Sequence, residues 1–246
     1  MERIGRPANP GLPPRPLWYP PILAYHRVHP DGATDTPTIS PEIFGQQMAI
    51  LAERWKPVPL LDLVIRLEEG QPFDRREVAV TFDDGTEDNF THAYPVLKQH
   101  RVPATIFLIT ENIGQPGFLS KTQIAEMADQ GTTFGSHTLH HAYLPKLPMD
   151  CVREELVESR RKLQGMGLAA DLMSYPAGGF SQEIAHAVQE AGYRAACTTN
   201  RGLQRFPVDR WALRRNTMHA NATTPFGLWL RCCGWYGLNR RLRSPS

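Results

Sequence analysis

Two adjacent carboxylates, Asp83 and Asp84, end the strongly β-forming run "EVAVTF" (77–82) and precede Gly85. A turn needs only one Asp and the glycine. Two carboxylates side by side repel, so a compensating positive charge is expected, and a metal ion is the candidate. A second cluster, "GSHTLHH" (135–141), follows another candidate strand. Its His137 and His141 are four residues apart, a spacing that on a helical turn brings both imidazoles to one side and leaves His140 pointing elsewhere. Two histidines and one carboxylate form a three-ligand set with a fourth position open for water, as in catalytic zinc sites. Such a water has its pKa lowered from ~15.7 towards ~7, and the other carboxylate is then placed to take its proton as general base.

The elements that must position these groups follow from periodicity. "PILAY" (21–25) is a candidate first strand, and Ser40-Pro41-Glu42 starts a helix with Phe44, Met48 and Leu51 on one face. "LLDLVIRLEEG" continues as a helix closed by Gly70. After "EVAVTF" comes a helix with Phe90, Ala93, Tyr94 and Leu97 on one face, which Pro95 is expected to kink. "ATIFLIT" (104–110) reads as a buried strand. Ser120 and Gln123 form a capping box for a helix ending at Gly131. Asp150 is expected to cap a further helix, "DLMSY" is a short strand, and Ser181 to Ala191 is a helix ended by Gly192. "YRAACTT" and "WALRRNTM" complete the strands. About seven strand–helix alternations imply one domain with a parallel sheet and helices outside it, either an open doubly wound sheet or a barrel. In both, the active site lies at the C-terminal ends of the strands, where the carboxylates and the histidines sit.

The chain has 246 residues, 41% of them hydrophobic and 21% charged, as in an ordinary soluble globular protein. Its net charge of +2 is too small to argue for nucleic acid or an anionic membrane surface. The four cysteines make neither a metal-binding spacing nor a dense disulfide framework. The N-terminus shows no apolar core of a secretory signal, and no run approaches the ~20 apolar residues of a membrane span. These features place the chain in the cytoplasm or at the inner membrane face. Residues 1–20 read as a Pro-rich arm and residues 221–246 as a C-terminal helix with a basic, solvated tail, in which "FGLWLRCCGWYG" is an amphipathic cover.

"TFDDG" and "SHTLHH" resemble the first two signatures of the NodB-type polysaccharide deacetylases, carbohydrate esterase family four. "PILAYHRV", "EIFGQQMAILAERW", "YPVLKQHRVPATIFLIT", "SYPAGGFS" and "AGYRAACTT" agree, so the resemblance covers residues 20–220. It implies an irregular (β/α) barrel with about seven parallel strands and a catalytic domain over residues 21–220. It implies that Asp84, His137 and His141 bind Zn2+ or another divalent ion such as Co2+ or Ni2+. Asp83 would be the general base, the backbone N–H of Ala177 in "YPAGG" would hold the oxyanion, and Thr138 would brace the histidine loop.

The substrate implied is an N-acetylated glycan or glycolipid precursor that loses its acetyl groups. A small non-sugar amide or formamide, and a catalytically weak carbohydrate-binding protein, are the alternatives. Three positions depart from the family pattern. Ser174 stands where an Arg usually orients the base, with Arg214 or Arg215 as substitutes. His219, in "NTMHAN", is the candidate general acid, with Asp209 to orient it or to open a turn. Thr86 replaces an aromatic residue. Tyr25, His26 and Tyr175 are candidate substrate contacts. Trp211, Trp229, Trp235 and Tyr236 have flat faces that suit pyranose rings, packing being the better account of Trp211.

Overall fold

Eight short strands alternate with helices in the computed structural model, which describes residues 19–31, 37–200, 204, 207–220 and 222–232. The strands of the barrel are β1 (Ile22–Tyr25), β2 (Glu77–Phe82), β3 (Ala104–Leu108), β4 (Thr133–Ser136), β5 (Leu172–Ser174), β6 (Ala195–Thr198), β7 (Leu213–Arg214) and β8 (Asn216–Thr217), and three two-residue strands, Arg27–Val28, Thr38–Ile39 and Lys56–Pro57, lie beside them. The main helices are α1 (Pro41–Arg54), α2 (Leu60–Glu68), α3 (Tyr94–His100), α4 (Lys121–Asp129), α5 (Met149–Gly165), α6 (Gln182–Glu190) and α7 (Pro225–Cys232). All eight strands pair in parallel, in the order β7-β6-β5-β4-β3-β2-β1-β8.

The two ends of that order are neighbours in sequence, and this nearly closes the sheet into a barrel. β7 pairs with Cys197 and Thr198 of β6, while β8 pairs with Leu23 and Ala24 of β1. "WALRRNTM" is therefore not one strand as expected. It breaks at Arg215, whose side chain turns into the interior (0% exposed), so the five residues 213–217 bridge both edges of the sheet.

Because helices cover its outer face and side chains fill its interior, the sheet is buried on both sides. β1, β2 and β3 accordingly read as near-continuous apolar runs. Ser40 caps α1 by accepting from the Ile43 N–H, and Ser120 with Gln123 forms the expected capping box on α4. Asp150 is not a cap: α5 begins at Met149 behind Pro148, and Asp150 pairs with Arg153 in the first turn. Around Pro95 the expected helix is not a regular α-helix throughout. Residues Asn89–Ala93 form one wide π-turn, and Pro95 lies in the first turn of α3. A residue without an N–H costs nothing at a helix start, and the missing donor suits the wider turn before it.

In α7, Leu228 is fully buried in the core while Phe226 and Trp229 face outward. The Pro-rich residues 1–18, and Trp235, Tyr236 and the basic tail, lie outside the described residues. Tyr19, within the expected arm, is buried against Phe73. No helix among the described residues is long and apolar enough to cross a membrane.

Candidate metal and catalytic site

The turn after β2 separates the two carboxylates. Asp84 (φ 72) and Gly85 (φ 70) are both left-handed, so the chain reverses sharply and the two side chains leave in different directions. Glycine is required at the second position, where a Cβ would lie 2.4 Å from Leu108 Cδ2. Asp84 tolerates the left-handed region at a cost of ~1 kcal/mol, as short polar side chains do.

Asp83 points into the barrel and meets the guanidinium of Arg215 in two parallel hydrogen bonds, Nη1 to Oδ1 at 2.8 Å and Nη2 to Oδ2 at 2.6 Å. Burial alone would favour the neutral acid. The Arg215 charge outweighs it and holds Asp83 well below the usual carboxylate range. Arg215 also donates to Ser174 Oγ (2.6 Å) and Thr81 Oγ1 (3.1 Å), and lies over the Phe107 ring. Ser174 thus accepts from a guanidinium delivered by the β7–β8 break, and Arg215, not Arg214, reaches the base.

Asp84 has no such partner. Its Oδ1 is buried without a hydrogen bond, and burial together with the charge of Asp83 pushes its pKa up to about 6. His137 Nε2 stands 3.6 Å from it and His141 Nε2 3.5 Å. One donor atom from each of the three residues lies within 4.8 Å of the others. His137 Nδ1 is 2.8 Å from the Ser174 carbonyl oxygen, which can only accept, so Nδ1 carries the hydrogen and Nε2 presents its lone pair to the cluster. Burial lowers the His137 pKa to about 4 and also lowers that of His141, favouring neutral imidazoles at pH 7. A carboxylate oxygen with no partner, facing two imidazole nitrogens, fits the donor set of a divalent metal site.

The histidine segment is not helical. It leaves β4 as a loop with Thr138 (φ 65) and His141 (φ 61) left-handed, and these reversals bring the two rings to 4.8 Å. Glu155 of α5 holds the loop. Its Oε2 accepts from the Leu139 N–H (2.9 Å) and the His140 N–H (3.0 Å), and its Oε1 is 2.7 Å from His140 Nδ1. Ser136 Oγ accepts from the Thr138 N–H at 3.0 Å and bonds Ser159 Oγ at 2.6 Å. The Thr138 hydroxyl itself has no partner, so bracing comes from Glu155 and Ser136. The sequence does carry the signal for Glu155: the buried face of α5 runs Val152, Glu155, Leu156, Ser159, Leu163, with two polar residues among apolar ones.

Beyond the carboxylate pair, "EDN" has a similar role. Asp88 accepts from Arg27 Nε (2.7 Å), the Val28 N–H (3.1 Å) and Thr86 Oγ1 (3.1 Å), while Asn89 Nδ2 donates to the His26 carbonyl (2.9 Å). This network fixes the segment after β1, and His26 Nε2 stands 3.9 Å from Asp83 Oδ2. His26 is therefore at the site.

Neither Tyr25 nor Tyr175, the expected substrate contacts, presents an exposed ring. Both are buried, Tyr25 bonding Gln47 Oε1 (2.9 Å) and Tyr175 the Trp211 carbonyl (3.0 Å). Side chains alternate along a strand, so a neighbour of a site residue at a strand end points to the opposite face. Ala177 is exposed and left-handed (φ 52) on the short turn Pro176–Gly178. His219 follows β8, and its carbonyl accepts from Gln47 Nε2 at 3.2 Å. Asp209 opens a turn by accepting from the Trp211 N–H at 2.9 Å. Trp211 is partly buried against the cluster that contains Tyr175.

Comparisons with known proteins agree with this geometry. The family described as polysaccharide deacetylase matches residues 70–196. YxkH of Bacillus subtilis (strain 168), whose name places it among polysaccharide deacetylases, is 30% identical over 197 residues, 79% of this chain and 70% of that protein. A poly-beta-1,6-N-acetyl-D-glucosamine N-deacetylase of Staphylococcus epidermidis is 42% identical over 80 residues, 30% of this chain and only 28% of that protein. The structure of Streptococcus pyogenes deacetylase PplD in complex with acetate superimposes with a TM-score of 0.79 at 25% identity, covering 86% of this chain and 97% of that one. With the matched residues spanning both the carboxylate turn and the histidine loop, the chain belongs to the polysaccharide deacetylase family of hydrolases.

Proposed function

We propose that this protein removes N-acetyl groups from an amino-sugar glycan or glycolipid precursor, using a divalent metal held by Asp84, His137 and His141. The observation that supports it most is the division of the carboxylate pair: Asp83 is ionised and clamped by Arg215, whereas Asp84 Oδ1 is unpartnered and faces two imidazole nitrogens. Zn2+, or Co2+ or Ni2+, would supply Lewis acidity there, polarising the acetamide carbonyl and acidifying a water, which is what a base as weak as Asp83 requires.

The other steps belong to the chain's own residues. Asp83 accepts the water's proton, and Arg215 orients it while Ser174 and Thr81 fix the guanidinium. The backbone N–H of Ala177, an exposed residue on the turn after β5, is assigned to hold the developing oxyanion. Water adds to the carbonyl carbon, the C–N bond breaks, and acetate and a free amine result. His26, beside Asp83, is placed to donate the proton that the departing nitrogen needs. Support for the sugar comes from the relative that acts, by its name, on poly-beta-1,6-N-acetyl-D-glucosamine.

The test measures bound divalent ions and acetate release from N-acetylglucosamine oligomers, for the wild type and for Asp84→Ala. Near-stoichiometric metal and acetate release, both lost in the variant, are expected. Metal without acetate would move the substrate to a non-sugar amide, and neither would overturn the hydrolytic reading.

A further inference from the structure

A second constellation lies on the far side of the barrel from the carboxylates. Arg75 and Arg76 immediately precede β2, at the end opposite Asp83 and Asp84, and six strand residues at ~3.3 Å each put ~20 Å between the two ends. Beside them a cleft of ≈ 560 Å³ is lined by Arg54 and Trp55 from the end of α1 and by Phe226 and Trp229 of α7. Leu228 anchors α7 in the core, which leaves Phe226 and Trp229 67% and 48% exposed, the highest values among large apolar side chains of the described residues. Their rings stack at 5.9 Å, forming a flat aromatic platform edged by three guanidinium groups. Arg54 and Arg76 have only solvent-exposed acid neighbours, Glu53 at 3.7 Å and Asp74 at 3.5 Å, and such pairs hold a cation weakly.

The sequence adds an independent observation. No Asp or Glu follows Asp209, and residues 225–246 contain Arg231, Arg240, Arg241 and Arg243 together with Trp235 and Tyr236. Exposed Trp and Phe beside arginines, without acids, is the composition of segments that lie at a lipid–water boundary.

We propose that this face docks on an anionic lipid bilayer, with Phe226 and Trp229 entering the headgroup–acyl boundary and Arg54, Arg75 and Arg76 meeting acidic headgroups. Charge decides against other occupants. A second copy would set the same three arginines against each other, and the C-terminal residues have no acid with which to neutralise them. A soluble polyanion would engage the arginines and leave the aromatic platform wet. The whole-chain charge of +2 conceals the acid-free C-terminal stretch, because all 25 acids lie at or before Asp209. Docked this way, the catalytic mouth opens away from the bilayer. The inference does not depend on the chemistry proposed for that mouth.

The test sediments the full chain with vesicles of phosphatidylcholine, with and without phosphatidylglycerol. Pelleting is expected only with the anionic lipid, weakening as salt rises. Arg75→Ser with Arg76→Ser should weaken it about five-fold per arginine. Phe226→Ser with Trp229→Ser should weaken it about ten-fold or more. Circular dichroism of each variant separates lost docking from lost folding. Wild-type protein left in the supernatant, equal pelleting on neutral vesicles, or pelleting untouched by the aromatic pair would overturn the proposal. So would binding of dextran sulfate that matches the lipid and ignores Phe226 and Trp229.

Discussion

The Asp83 pocket and the Asp84 cluster lie on either side of one peptide bond, and the protein treats them in opposite ways. On the Asp83 side the negative charge is compensated internally, by a fully buried guanidinium with two hydrogen bonds to the carboxylate. On the Asp84 side the charge is left without a partner and faces two imidazole nitrogens, an arrangement that costs stability until a cation arrives. Adjacent residues of one type thus acquire different work because one is neutralised from within and the other is reserved for a ligand.

Removing the internal compensation should have the largest effect. Arg215→Met leaves Asp83 buried and unpaired, which costs about 3–5 kcal/mol and drives the carboxyl towards its neutral form. Urea denaturation and acetate release read the two consequences. A variant of near wild-type stability would show that the pair is dispensable and the comparison mistaken.

Asp84→Asn sharpens the other side, since Asn also accepts the left-handed backbone. Asp84 has a raised folded pKa, so its contribution to stability falls as pH rises from about 4 to about 6. The metal-free variant should therefore be more stable than wild-type protein at pH 7, by about 3 kcal/mol at most, with the gain gone near pH 4. His137 gives an opposing slope, because its folded pKa is lowered to about 4, and the difference between the two proteins cancels it. With saturating Zn2+ the order should reverse, because binding stabilises only the chain that holds the ion. Denaturant midpoints with and without metal check the crossing.

Glu155→Gln tests whether the histidine loop is preorganised for the ion. Metal affinity, measured by competition with a chelator, should fall about 10- to 100-fold while the helical signal persists. The smallest effect is expected for Tyr25→Phe, which removes the hydroxyl that bonds Gln47. It should cost about 1 kcal/mol of stability and leave acetate release unchanged, as befits a core residue beside the site.

Much of this was legible in the chain. "TFDDG", the helix starts at Ser40 and Ser120 and most strands are local patterns, and each folds as its period and turn chemistry require. The loop shape of residues 137–141 was not legible, because two left-handed residues without glycine leave no compositional trace. The pattern of α5 marks Glu155 as buried but not what it holds, and Asn89 beneath His26 leaves no mark, since those bonds join segments that only the packing brings together.

The sequence by itself determined the chemical inventory: two carboxylates at a strand end, two imidazoles at another, and an alternation that makes a parallel sheet. Only the tertiary structure decided which carboxylate is ionised and clamped and which is left for a metal. The reason is that ionisation follows from desolvation and from charges a few ångströms away. Arg215 is 132 residues from Asp83 along the chain, and it becomes a neighbour only where the strand break at the barrel seam turns its side chain inward.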